Sequence, residues 1–142
     1  MLYLDTSVLV PLFVPEEASE RIQGWFERQG AEGLAIGDWT LTEFSSALGL
    51  KVRARTLKTA QAHRARDLLE RIATDSLQVL TPGRADYACA GSFLGQYALG
   101  LRAGDALHLA IAHNAGAEAV YSLDRKFVAA GRRLKIRTRS PI

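Results

Sequence analysis

The chain has 142 residues, 48% of them hydrophobic, which suits one globular domain (1–142) with a sizeable core and leaves little room for a second. Its only cysteine, Cys89, excludes an internal disulfide, and the small apolar stretch around it reads as a buried packing position. No apolar run approaches bilayer length, and Asp5 breaks the apolar start with no basic segment before it, so a soluble, cytoplasmic protein is expected, not a secreted or membrane one.

Leu2 to Leu4 predicts a first strand, and Thr6 to Phe13 a short helix that stops at Val14-Pro15. A second helix is expected from Glu16 to Gln29, with proline before it and Gly30 after it. A strand over Leu34 to Gly37 follows. Leu41, Phe44, Leu48 and Val52, then Leu68, Leu69, Ile72 and Ala73, recur at helical spacing and predict two helices between Trp39 and Thr74. Leu77 to Leu80 reads as a third strand bounded by Pro82-Gly83. Arg84 to Leu99 is Ala-rich and helical, and Asp105 to Asn114 forms another helix ending at Gly116. Ala119 to Ser122 predicts a fourth strand, Arg125 to Ala130 a brief helix capped by Gly131, and Leu134 to Thr138 a short final strand. Strands alternating with helices predict a three-layer α/β/α sandwich with a largely parallel sheet.

Four carboxylates, Asp5, Glu43, Asp105 and Asp124, are far apart in the chain, yet each stands at what reads as the start of a helix. Three follow predicted strands, and side chains beyond the carboxyl ends of parallel strands converge on one site. Each also has a structural explanation. Thr40-Leu-Thr-Glu43 has the spacing of a capping box, and Asp5, Asp105 and Asp124 can satisfy free N–H groups at helix starts. Taken together the four favour a metal pocket, because every one adjoins an apolar segment and gathering carboxylates without a cation is costly. Oxygen-only donors suit Mg²⁺ or Mn²⁺.

Charge is unevenly distributed. Net charge is only +3, but Lys51 to Arg66 holds six basic residues and Arg125 to Arg139 seven, with no acid in either stretch, whereas Glu16, Glu17, Glu20, Glu27 and Glu32 crowd the early chain. An acidic pocket in a partly basic protein fits a polyanionic substrate; a solvated helix face and a polar sheet edge account for the same stretches equally well. His108 lies one turn beyond Asp105, but the apolar Asp-Ala-Leu-His-Leu-Ala context favours an imidazole packed in the core; His63 and His113 have no partners at ligand spacing. The sequence lacks a P-loop, Gly-x-Gly-x-x-Gly and Gly-x-Ser-x-Gly, the usual footholds of nucleoside triphosphate, dinucleotide and esterase sites. Leu9, Leu12, Phe13, Trp25, Phe26 and Trp39 make the early helices rich in large apolar groups, suited to core packing or to a groove for a partner helix.

Asp5-Thr-Ser-Val-Leu-Val, Thr42-Glu43-Phe, Gly104-Asp-Ala-Leu-His-Leu-Ala and Ser122-Leu-Asp-Arg-Lys-Phe127, in this order over nearly the whole chain, resemble a PIN-domain ribonuclease, in size and layout a VapC-type toxin of a toxin–antitoxin pair. The resemblance implies that Asp5, Glu43, Asp105 and Asp124 bind one or two Mg²⁺ or Mn²⁺ ions. Thr6 and Ser7 match the polar pair after the first acid and would steady metal-bound water, and Ser122 stands where the family often has Thr. It further implies an endoribonuclease that leaves 5′-phosphate and 3′-hydroxyl ends, an antitoxin partner (VapB-like) and a homodimer, with no membrane association. Two other classes remain: an α/β phosphatase or phosphotransferase, against which the missing Asp-x-Asp after the first strand argues, and an inactive PIN-like binding module, against which the intact quartet argues.

Overall fold

A computed structural model describes residues 1–30 and 33–142; Glu32, counted above in the acidic early stretch, lies outside the described residues. The elements run β1 (Leu2–Leu4), α1 (Thr6–Phe13), α2 (Ser19–Gln29), β2 (Leu34–Gly37), α3 (Asp38–Arg53), α4 (Thr59–Ser76), β3 (Gln78–Leu80), α5 (Arg84–Leu94), α6 (Ala103–Asn114), β4 (Ala119–Tyr121), α7 (Arg125–Arg133) and β5 (Thr138–Arg139). The strands form one sheet in the order β3-β2-β1-β4-β5, and every pairing is parallel. From β1 the chain builds outward to β2 and β3, then returns to add β4 and β5 on the other side. The switch point therefore lies between β1 and β4, where open α/β sheets place their ligands.

Pleating divides the core in two. Leu4, Leu34 and Ile36 face α1–α4, packing with Leu9, Ile22, Trp25, Phe44 and Leu69. Their neighbours Tyr3, Ala35 and Val120 face the other way, against Leu109 and Ile111 of α6 and Phe127 of α7. Parallel strands covered on both faces need apolar side chains on both, and helices on the two faces make the sandwich.

Several boundaries differ from expectation for local reasons. The second helix begins at Ser19, not Glu16, because Ser19 closes a turn first: its hydroxyl accepts from Glu16 N at 2.9 Å and donates to Val14 O at 3.2 Å. The Ala-rich helix stops at Leu94; a 3₁₀ turn over Tyr97–Leu99 and Gly100, at φ 65°, lead into α6. Gly131 does not cap α7 but lies inside it. A Cβ there would sit 2.2 Å from Thr138 Cγ2, so glycine serves the close packing of α7 on β5. Lys135, at φ 62°, ends the helix instead, and Ile136 N donates to Gly131 O at 2.9 Å. That turn takes up Leu134–Ile136, which is why the last strand is only Thr138–Arg139. Cys89 is half-buried at the edge of the second core, where burial and the Asp86 charge push its thiol up. Among the described residues, no helix is long and apolar enough to cross a membrane.

Candidate functional site

Asp5 leaves the end of β1 and caps α1, its Oδ1 accepting from Ser7 N at 2.9 Å and Ser7 Oγ at 2.6 Å. The Ser7 hydroxyl also accepts from Leu123 N at 2.8 Å and lies 3.3 Å from Ser122 Oγ, which accepts from Asp124 N at 3.0 Å. Ser7 and Ser122 thus tie the acid beyond β1 to the acid beyond β4. The Asp5 side of this cluster is 6% exposed. Burial pushes the Asp5 carboxyl above the usual carboxylate range, and His108, Ser7 and Ser122 oppose the shift without cancelling it.

Asp124 caps α7, its Oδ1 accepting from Lys126 N at 2.7 Å and Phe127 N at 3.2 Å. It is exposed, unlike the enclosed charge expected from its apolar neighbours. Asp105 lies in the first turn of α6, where Oδ2 accepts from Arg102 N at 3.3 Å. Burial raises its pKa; Arg102 N–H and His108 pull it down, while the charges of Asp124 and Glu43 push it up.

Glu43 differs from the other three. The helix starts at Asp38, and Thr40 Oγ1 accepts from Gly37 N at 3.2 Å, so the first-turn cap falls to Thr40 and the expected Thr40–Glu43 capping box does not form. Glu43 sits one turn further along α3 and is bonded across the fold. Its Oε2 accepts from the Thr6 hydroxyl and pairs with His108 Nε2 at 2.8 Å. Burial raises the Glu43 pKa, but the His108 hydrogen bond and charge and the Thr6 hydroxyl outweigh it, so the carboxyl is held below its ordinary value.

His108 is packed in the core, as its context suggested, and what satisfies it is the candidate site. It is 1% exposed, with Nδ1 at 2.9 Å from the Tyr3 hydroxyl. The sequence signal was its place one turn after Asp105. Nothing pointed to Tyr3, whose inward position is set by strand pleating, and the motif containing Gly104 gave no sign of its contact, where a Cβ would be 2.8 Å from Glu43 Oε1 and 3.3 Å from Trp39 Nε1. The Trp39 N–H is buried here without a hydrogen-bond partner.

In these hydrogen bonds each acid engages one oxygen: Oδ1 of Asp5, Oε2 of Glu43, Oδ2 of Asp105 and Oδ1 of Asp124. Capping and ligand binding are therefore compatible, since a second oxygen remains on each. Among the described residues no Lys or Arg lies within ion-pair distance of any of the four. Asp105 and Asp124 line an open pocket of about 530 Å³ together with Gly100, Arg102, Arg125 and Lys126. Among the described residues no three His, Cys, Asp or Glu side chains stand close enough to hold one metal ion as placed. The donor set fits a hard divalent ion by its chemistry, and Mg²⁺ needs only one or two carboxylates while keeping several waters.

The PIN domain family matches residues 2–133. The chain belongs to the PIN-domain family. Among solved structures, this PIN domain is similar to VapC20 of Mycobacterium tuberculosis, a Sarcin-Ricin loop cleaving toxin (TM-score 0.76, 19% identity, 92% of this chain and 95% of that one). It is also similar to VapBC2 of Rickettsia felis, bound to a promoter DNA fragment (0.71, 18%, 99% and 98%), and to FitAcB of Neisseria gonorrhoeae (0.66, 19%, 99% and 98%). No curated protein sequence matches it.

Proposed function

We propose that this PIN domain is a Mg²⁺- or Mn²⁺-dependent endoribonuclease and the toxin of a toxin–antitoxin pair. One observation supports the reading: acids from separate elements are linked in pairs near the β1/β4 switch point, Asp5 with Asp124 through Ser7 and Ser122, and Glu43 with the α6 turn of Asp105 through His108, and none is neutralised by Lys or Arg among the described residues. Asp5, Glu43, Asp105 and Asp124 would hold the metal. A divalent ion, when bound, supplies Lewis acidity toward a phosphoryl oxygen and acidifies water near it. The residues of the chain do the rest. Ser7 and Ser122 link the β1 and β4 acids, and Arg102, Arg125 and Lys126 on the pocket wall would take RNA phosphates. In-line attack of water at phosphorus that breaks the P–O3′ bond, with the 3′-oxygen leaving and taking up a proton, would leave a 5′-phosphate and a 3′-hydroxyl, with no side-chain nucleophile.

A partner antitoxin belongs to the same reading, supported by the similarity to a VapBC structure, and a homodimer belongs to it as what the family resemblance implies. The surface expected for the antitoxin is only partly available, since Leu9 and Trp25 are buried in the core and Leu12, Phe13 and Phe26 pack against it. A groove of about 290 Å³ between α3 and α4, with Leu48, Val52 and Ala62 at its floor and Arg53, His63 and Arg66 around it, suits an apolar segment that carries acids. Incubating the purified protein with RNA, with and without Mn²⁺, tests the nuclease; a phosphatase would release phosphate from monoesters instead, and a binding module would do neither.

A further inference from the structure

Glu43 is the one acid of the four that does not serve its own helix end. Its inner oxygen is held by two residues that each neighbour another acid: Thr6 directly follows Asp5, and His108 stands one turn beyond Asp105. The clamp thereby ties the Glu43 carboxylate to the backbone frames of α1 and α6. Behind the ring, the Tyr3 hydroxyl at 2.9 Å from Nδ1 comes from the central strand and is itself fully buried. The Tyr3 hydroxyl and Glu43 Oε2 thus hold the two ring nitrogens from opposite sides.

Both ends of this chain of hydrogen bonds rest on glycines. A Cβ at Gly37 would come within 2.9 Å of the Tyr3 hydroxyl, and one at Gly104 within 2.8 Å of Glu43 Oε1. The free Oε1 therefore lies against the first turn of α6, next to Asp105, beside the unpaired Trp39 N–H. The Glu43 side chain is 34% exposed, so solvent and ions reach it although its partners are enclosed.

We infer that His108, oriented by Tyr3, is a positioning residue that fixes the Glu43 carboxylate with Oε2 turned inward and Oε1 presented to a divalent cation. The inference rests on the metal-dependent reading above. Oriented partners of this kind change metal affinity or activity about 10- to 100-fold when removed. A histidine that merely fills the core would affect stability and leave the cation indifferent to Glu43.

The test is Mn²⁺ binding by the purified full chain, followed by the electron paramagnetic resonance signal of free Mn²⁺, with melting temperature and RNA cleavage measured alongside. His108→Leu should weaken Mn²⁺ binding about 10-fold or more. His108→Gln, which keeps a donor toward Glu43, should recover much of the loss, and Tyr3→Phe, which removes one oxygen without changing packing, should lose part of it. Cleavage should fall in kcat with KM for RNA nearly unchanged. In a Glu43→Gln background, His108→Leu should cause no further loss of Mn²⁺ affinity, because the effect passes through that carboxylate. Unchanged Mn²⁺ affinity in folded His108→Leu and Tyr3→Phe, or equal losses with and without Glu43, would overturn the inference while leaving the nuclease standing. A wild-type protein that binds no Mn²⁺ at all would overturn both.

Discussion

Gly104 and Glu43 approach so closely that a side chain at 104 would have to displace the carboxylate: a Cβ would lie 2.8 Å from Glu43 Oε1 and 3.3 Å from Trp39 Nε1. Gly104→Ala should therefore disturb the carboxylate while barely lowering stability, since alanine gains about 0.8–1 kcal/mol of helix propensity against the strain. Melting temperature within a few degrees of wild type, with RNA cleavage down about tenfold or more, is the expected pair of results. Full activity would show that Glu43 Oε1 plays no part at the site.

Asp5→Asn separates charge from capping, because asparagine caps a helix about as well as aspartate. The Asp5 and Asp105 carboxyls are both raised by burial, so protonation favours the folded state. Their contribution to stability is fully present below the ordinary carboxylate pKa and is lost as pH rises through the folded value. Without metal, Asp5→Asn should melt higher than wild type near neutral pH, with the gap closing as pH falls; added Mn²⁺ should stabilise wild type and not the variant. A thermal melt series from pH 3.5 to 8 checks this, and a variant that melts lower than wild type by the same margin throughout would make Asp5 a cap alone.

The basic residues divide by position. Arg125 and Lys126 line the pocket that holds Asp105 and Asp124, whereas Arg137 and Arg139 are exposed at the β5 edge of the sheet. Replacing either pair with alanine should weaken RNA binding and flatten its salt dependence, by about 0.7 in log–log slope for each phosphate that is no longer neutralised. Fluorescence titration between low and moderate salt reads the slope. A pair whose removal leaves the slope unchanged is a solvated surface, not part of the RNA path.

Gly131 gives a prediction about the fold alone. Gly131→Ala forces a methyl against Thr138 and should cost about 1–3 kcal/mol of stability. Pairing it with Thr138→Ser, which removes the obstructing Cγ2, should restore part of that stability in urea melts. An unchanged single variant would mean that α7 and β5 separate more easily than their packing indicates.

Strands, helix positions and the parallel sheet were legible because apolar periodicity and Gly/Pro punctuation carry them: α1 and β2 begin and end at the expected residues. Boundaries failed where a distant or side-chain interaction decides. Ser19 closes a turn before α2, and Gly131 answers to Thr138, not to the end of its helix. The acids stand out in the sequence because each reads as standing near a helix start, although Glu43 proves to lie a turn inside α3. Their arrangement was not legible, since the partners of Glu43 come from α1 and α6, and local spacing offered Thr40 as a false one. Tyr3 and Gly104 act on residues more than thirty positions away, which no local pattern encodes.

The central claim is that the four acids hold a metal that RNA cleavage requires. Its most direct measurement is cleavage of purified total RNA by the metal-stripped protein as Mn²⁺ is titrated back, run in parallel with Asp5→Asn, with the chemistry of the product ends determined. Internal cleavage that rises with Mn²⁺, leaves 5′-phosphate and 3′-hydroxyl ends and is absent from the variant is the predicted result. Cleavage that survives a chelator or persists in Asp5→Asn, or a Mn²⁺-loaded wild-type protein that leaves all RNA intact, would contradict it.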